Sequence, residues 1–239
     1  MPTILAIDSS TDTLSLALLI GSERRSIHRE LPRRHHRLLF ELLDELLEGQ
    51  RPADLAFDAL CYGSGPGSFT GLRIAVSFVQ GLGYSLNVPV VGVSSLHAQA
   101  CHALRSYPEL SSGPVLSATD ARAGQLYTLW LSYRSGSLVP IGPPATVSVD
   151  TLQIPPDLSL SEPVVMVGSG ASLLRDVNNL RYEERLSGIT PHALDMLDLA
   201  AERLDATGGT AAGDARPDYV QTETPWKKLA EQTGKGESP

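Results

Sequence analysis

Two apolar runs near the start of the chain, ILAI at residues 4–7 and LSLALLI at residues 14–20, are separated only by the polar stretch DSSTDT. Each has the length of a buried strand, and the gap holds a tight turn and little else, so the spacing predicts two strands joined by a polar turn. A third, more polar strand is expected after Gly21 through about Leu31, ahead of Pro32. The three segments form an antiparallel meander.

The pattern then changes period. From His36 to Glu48, apolar residues fall at Leu38, Leu39, Leu42, Leu43, Leu46 and Leu47. At about 100° per residue these cover an arc near 180°, wider than the roughly 100° that a single core contact needs, so this helix is expected to pack on two sides. Asp58 to Tyr62 reads as a short buried strand leading into GSGPGSFTGLR, a glycine-rich turn in which Ser68 or Thr70 caps a largely enclosed helix over about 71–86. VPVVGV at 88–93 supplies another strand, and residues 94–105 another helix. The order is βββαβαβα.

Proline, glycine and serine concentrate in SYPELSSGP at 106–114, which places a domain boundary there: a first lobe over 1–105 and a second, reduced lobe over 106–239. Strands are expected at 115–120, 125–134 and 164–168, a proline-rich surface loop over 138–163, and helices at about 171–176 and 192–206. The tail PDYVQTETPWKKLAEQTGKGESP ends in ten polar residues expected to fray, and is read as returning toward the first lobe.

Charge narrows the function classes. With 27 acidic residues against 19 Lys plus Arg, a net charge of -8, long-range attraction to nucleic acid or an anionic membrane is not expected, and any RNA contact needs a local patch. Two cysteines without C-x-x-C spacing, Cys61 and Cys101, point to neither a disulfide framework nor a structural zinc site. The N-terminus is too short in apolar residues for a signal sequence, and no uncharged apolar run approaches about 18 residues. A soluble, cytoplasmic protein is the expectation.

Four groups of residues carry candidate chemistry. Asp8, Ser9, Ser10 and Asp12 could hold a magnesium ion or phosphate at a strand end, or simply satisfy the turn. Gly63, Gly65, Gly67 and Gly71 could cradle an anion at a helix N-terminus or serve as a rigid packing loop. The loop has neither the GK[ST] ending of a Walker A motif nor the G-x-G-x-x-G fingerprint. His28, His35 and His36 lie among Arg24, Arg25, Arg29, Arg33, Arg34 and Arg37, either a phosphate-contacting patch or a solvated edge whose charge blocks aggregation. His97 and His102, five apart, miss the i, i+4 geometry of a helical metal pair, and no G-x-S-x-G elbow or nucleophile with an evident base appears.

Taken in order, ILAIDSS, YGSGPGSFTGLRIAVSFVQGL, VPVVGVSSL, the Asp120–Arg122 D-A-R with Gly124, PDYV and WKKL resemble the TsaB (YeaZ) family over nearly the whole chain. The resemblance implies an actin-like ATPase fold of α/β class (ASKHA, ribonuclease H-like), with two lobes of mixed β-sheets flanked by helices. It implies a part in making N6-threonylcarbamoyladenosine (t6A) at adenosine 37 of bacterial tRNAs reading codons that start with A. It also implies a homodimer in isolation and partnership with the catalytic paralogue TsaD and the TsaE ATPase, with tRNA met only through the complex. TsaD follows its counterpart of VPVVGV with two metal-holding histidines at i, i+4; here those positions are Ser95 and Gln99, a hydroxyl and an amide, which are poor ligands for a transition metal. The chain is also shorter than that paralogue. No catalytic, cofactor or metal residue is therefore expected, and the reading is a noncatalytic scaffold. A phosphotransferase on the same fold, or a glycoprotease-like hydrolase, is the competing reading. The surplus width of the leucine arc implies an interface on helix 36–48 together with helix 71–86, with Leu38 and Leu47, at the arc's extremes, pointing outward.

Overall fold

The computed structural model describes residues 2–31, 35–110, 113–134, 136–156, 158, 163–174 and 182–220. The WKKL stretch and the polar tail lie outside the described residues, as do Arg33, Arg34 and the side chains of His35 and His36.

The opening meander forms as expected: β1 (Ile4–Asp8), β2 (Thr13–Ile20) and β3 (Glu23–Glu30) pair antiparallel in succession. After α1 (His35–Leu46), β4 (Ala59–Gly65) adds parallel to β1; after α2 (Phe69–Leu86), β5 (Val90–Ser94) adds parallel to β4. The sheet order is β3-β2-β1-β4-β5. Following α3 (Ser95–Ser106), the strands β6 (Pro114–Arg122), β7 (Gln125–Arg134), β8 (Ser137–Pro140), β10 (Val164–Val167) and β11 (Tyr182–Leu186) form a second sheet in the order β11-β10-β6-β7-β8. β9 (Ala145–Ser148) pairs with β7 beside this path.

Read from its own first strand, the second sheet repeats the first in order and direction: two antiparallel pairings on one side and two parallel pairings on the other. This duplicated topology is what the resemblance implies for the fold. α4 (Ala193–Thr207) then returns to the first sheet.

The period-two alternation of β1 and β2 decides what covers each face. Leu5, Ile7, Leu14, Leu16 and Leu18 face α1 and α2, whereas the smaller Ala6, Ala17, Ala59 and Cys61 face α4, where Ala193 and Ala200 permit close approach. On the first face, Leu39, Leu42, Leu43 and Leu46 of α1 and Leu47 just after it all enter one core with Leu38 packed against it, so the wide arc serves the monomer. Leu47, only 1% exposed, is not an outward residue. The large apolar residue that α1 presents to solvent is Phe40, 69% exposed.

Three other expectations are corrected. The 138–163 stretch contains β8 and β9, which close onto β7 by main-chain pairing despite their prolines. Of the helix expected over 171–176, residues 175 and 176 lie outside the described residues, and the described part is a short 3₁₀ turn at Ser169–Ser172. β11, unforeseen, completes the parallel edge beside β10.

Candidate functional site

The parallel ladder β1–β4–β5 ends with Asp8, Gly63–Gly65 and Ser94 side by side, the crevice position where open α/β sheets usually bind ligands. Asp8 is 1% exposed. Its Oδ1 accepts from the Ser10 amide at 2.9 Å and the Ser10 hydroxyl at 2.7 Å, and its Oδ2 from the Ser95 hydroxyl at 2.7 Å. A Cβ on Gly63 would lie 1.9 Å from that Oδ2, so glycine here makes room for the carboxylate.

The glycine loop answers to the same turn. A Cβ on Gly67 would stand 2.4 Å from the Ser10 carbonyl oxygen, and one on Gly71 1.8 Å from that of Ser9. The Ser68 amide donates to the Ser10 carbonyl (2.7 Å) and the Ser9 hydroxyl to the Gly71 carbonyl (2.8 Å). Ser68, not Thr70, caps α2 by accepting from the Gly71 amide. Of the two readings left open, packing accounts for Gly67 and Gly71, because the loop's backbone is pressed onto the β1–β2 turn.

Between the sheets lies a cleft of about 930 Å³. The β1–β2 turn, His28 and the start of α2 form one wall; the β6–β7 hairpin, Ser169 and residues 187–190 form the other. Among its described lining residues, the carboxylates of Asp12, Glu30, Asp120 and Asp218 face one guanidinium, that of Arg122. Burial, with a smaller push from neighbouring His102, holds His28 down at about 4, so it adds no positive charge near neutral pH. The field therefore opposes a polyphosphate.

Ser95 and Gln99, both 1% exposed, stand where the family resemblance puts the paralogue's histidine pair. The Gln99 Nε2 donates to the Ser117 hydroxyl (2.9 Å) and the Val167 carbonyl (3.3 Å), and its carbonyl oxygen accepts from Thr119 (3.4 Å). A Cβ on Gly168 would come within 2.1 Å of that Nε2. Thus α3 is pinned through Ser95 to the first sheet and through Gln99 to the second. The D-A-R motif builds the β6–β7 turn: the Asp120 carboxylate accepts from the Arg122 amide at 2.7 Å, and Arg122, Ala123 and Gly124 take left-handed φ of 69°, 52° and 75°.

In its described part the basic cluster is ion-paired at Arg24, Arg25 and Arg29, with Arg37 exposed. Arg24 pairs with Asp198, Arg25 with Glu23 and Glu48, and Arg29 with Glu45. His28 turns inward, its ring stacked 4.3 Å from His192 and edge-on to His102 at 5.5 Å. His97 meets the Leu138 carbonyl and His102 the Thr190 carbonyl. Among the described residues no group of three or more His, Cys, Asp and Glu is arranged to hold a metal.

Two further surfaces are formed, the first on the helix pair where the sequence predicts an interface. An apolar groove of about 490 Å³ runs between α1 and α2, lined by Phe40, Leu43, Leu47, Phe78, Gly81 and Leu82, with Tyr84 86% exposed on the same helix pair. At the cleft mouth, Arg73 lies 3.7 Å over the Phe69 ring and donates to the Tyr219 hydroxyl at 3.1 Å. Phe40 was detectable as the aromatic beside the Leu47 edge of the leucine arc; Tyr219 was not, because 146 residues separate it from Arg73.

The family model described as TsaD, tRNA N6-adenosine threonylcarbamoyltransferase, matches residues 27–216. The tRNA threonylcarbamoyladenosine biosynthesis protein TsaB of Escherichia coli (strain K12) is 32% identical over 233 residues, covering 95% of this chain and 97% of that protein. The protein of the same description from Bacillus subtilis (strain 168) is 33% identical over 173 residues, 72% of each chain. The solved structure of YeaZ from Pseudomonas aeruginosa matches with a TM-score of 0.82 at 32% identity, covering 92% of this chain and 100% of that one.

Proposed function

The chain belongs to the TsaB (YeaZ) family, and on that premise we propose that it is a noncatalytic scaffold that binds and activates the TsaD catalytic paralogue, together with the TsaE ATPase. Its role lies in tRNA threonylcarbamoyladenosine biosynthesis. In this reading it acts in the cytoplasm, meets tRNA only inside the complex, and pairs with a second copy when alone. No helix among the described residues is long and apolar enough to cross a membrane.

The observation that carries the reading is the state of the crevice polar groups. The Ser95 hydroxyl is given to Asp8 and both Gln99 amide hydrogens to Ser117 and Val167, so side chains at this position brace the two sheets. We keep the division into lobes 1–105 and 106–239 within this proposal, with α4 and the segment after it folded back on the first sheet. The partner surface we propose is the exposed face of α1 and α2. Phe40 and Tyr84 flank the groove, Leu43 and Leu47 form its floor, and Ser77, Gly81 and Ser85 let another helix approach α2 closely. One surface would then serve a second copy and the paralogue in competition.

Reconstitution tests the reading. The purified chain is combined with the cognate TsaD-type transferase, the TsaE-type ATPase, threonylcarbamoyl-adenylate and unmodified tRNA. Modified tRNA is expected only with all proteins present and none from this chain alone. Product from the chain alone would overturn the noncatalytic assignment; product at an equal rate without it would overturn the activating role.

A further inference from the structure

Residues 209–220 run across the molecule as a strap. Thr210 exchanges main-chain hydrogen bonds with Val90 at 2.8 and 2.9 Å, Ala212 and Ala215 enter the first core, and the Tyr62 hydroxyl bonds to the main chain of Arg216. The Asp218 amide donates to the Ser64 carbonyl at 2.7 Å. That crossing needs Gly65, whose φ is +111° and whose Cβ would lie 3.0 Å from the Asp218 carbonyl oxygen. Two residues later the strap reaches the other sheet, where the Thr146 hydroxyl donates to the Val220 carbonyl at 3.2 Å. Asp218, Tyr219 and Val220 thus span the mouth of the cleft.

What holds the strap's end is slight. Tyr219, 47% exposed, rests its ring 5.5 Å from that of Phe69, itself 56% exposed, and accepts one hydrogen bond from Arg73. Arg73 makes no ion pair with any described residue and is exposed. It opens the row Arg73, Ser77, Gly81, Ser85, spaced four apart along one side of α2, which continues into the face proposed above as the partner surface. An exposed cation–π contact is weak, whereas a guanidinium enclosed in an interface with a carboxylate forms a much stronger, charge-assisted bond.

We infer that Arg73 couples the two surfaces: it latches Tyr219 over the cleft in the free subunit, and a protein partner seated on α2 takes Arg73 up and frees the 218–220 strap. This inference rests on the proposed partner face of α2, and its test separates the two. The reporter is hydrogen exchange of the Asp218 amide in the full-length chain, measured free, as the Arg73→Ala and Tyr219→Phe variants, and with the cognate TsaD-type transferase bound. Arg73→Ala should accelerate Asp218 exchange roughly tenfold while leaving the Val90–Thr210 amides unchanged, because opening is local. Tyr219→Phe, which keeps the ring and loses the hydroxyl, should fall between. Partner binding should protect residues 77–85 and accelerate Asp218. Unchanged Asp218 exchange in Arg73→Ala would remove the latch. Protection of 77–85 without acceleration at Asp218 would overturn the coupling and leave the partner face standing. Binding with no protection at 77–85 would overturn both.

Discussion

A methyl group added at Gly71 would sit 1.8 Å from the Ser9 carbonyl oxygen, a backbone atom that no rotamer change can move aside. Gly71 lies in the first turn of α2, where alanine would ordinarily be favoured by about 1 kcal/mol. The clash outweighs that preference. Gly71→Ala is expected to lose about 2 to 4 kcal/mol in urea unfolding, and an unchanged midpoint would mean the β1–β2 turn does not rest on this loop. Gly81, on the same helix with nothing within 4 Å of its Cβ position, is the contrast. There the helix preference acts alone, and Gly81→Ala should raise stability by about 0.5 to 1 kcal/mol. Gln99 makes a different argument. Its replacement by leucine keeps the volume but strips partners from the buried Ser117 hydroxyl and Val167 carbonyl. A loss of about 1 to 3 kcal/mol in the same assay is expected, and none at all would mean that Gln99 braces nothing.

Among the elements, α1 shows how far a hydrophobic pattern can be read. The leucine spacing announced the helix, but the leucines share one core rather than packing on two separate sides, because only the packing partners decide which edges of an arc are covered. Leu47 lies in the first core, and the large apolar side chain that α1 leaves to solvent is Phe40. Glutamate at position 47 would therefore bury a charge in the core and should unfold the subunit, visible as loss of the cooperative circular-dichroism transition. Phe40→Glu should leave that transition intact and weaken self-association and partner binding at least tenfold in sedimentation. A Phe40→Glu variant that associates like wild type would move the interface off this helix pair. Strands were legible where burial imposed a pattern, as in ILAI and LSLALLI, and illegible at the sheet edges. β8, β9 and β11 are short, half-exposed or charged, and are defined by hydrogen bonds to β7 and β10 rather than by their own residues. The site divides in the same way. Glycine spacing said that something approaches the loop closely; that it is the carbonyls of Ser9 and Ser10, some sixty residues earlier, is a property of the fold.

At the scale of the whole molecule, two sheets of one topology meet along α3, and the seam beside it is built from three packed imidazole rings. His28 comes from β3, His102 from α3, and His192 caps α4, its Nδ1 accepting from the Leu194 amide at 3.1 Å. The Ser15 hydroxyl links them, bonding His28 Nδ1 at 3.0 Å and accepting from the Ala193 amide at 2.9 Å. Burial first, and the neighbouring imidazoles and Arg105 after it, hold His28 at about 4 and His192 at about 3, against 6.5 for a free imidazole. Arg105 is itself held by Asp195, the carboxylate in the first turn of α4. Because the folded state binds protons more weakly than the unfolded chain, the unfolded chain takes up more of them as pH falls. The stability due to these two histidines is whole above about 6.5 and drains away as pH falls toward their folded values. Protonating His192 also turns its acceptor nitrogen into a donor aimed at the positive end of a helix. Between pH 6.5 and 5 most carboxylates remain ionised, so that window isolates the histidines. The wild-type urea midpoint should fall steadily across it. His192→Asn keeps a side chain able to cap α4 but cannot titrate, so its midpoint should decline clearly less over the same interval. An equal slope in the variant would show that the seam does not carry the acid sensitivity.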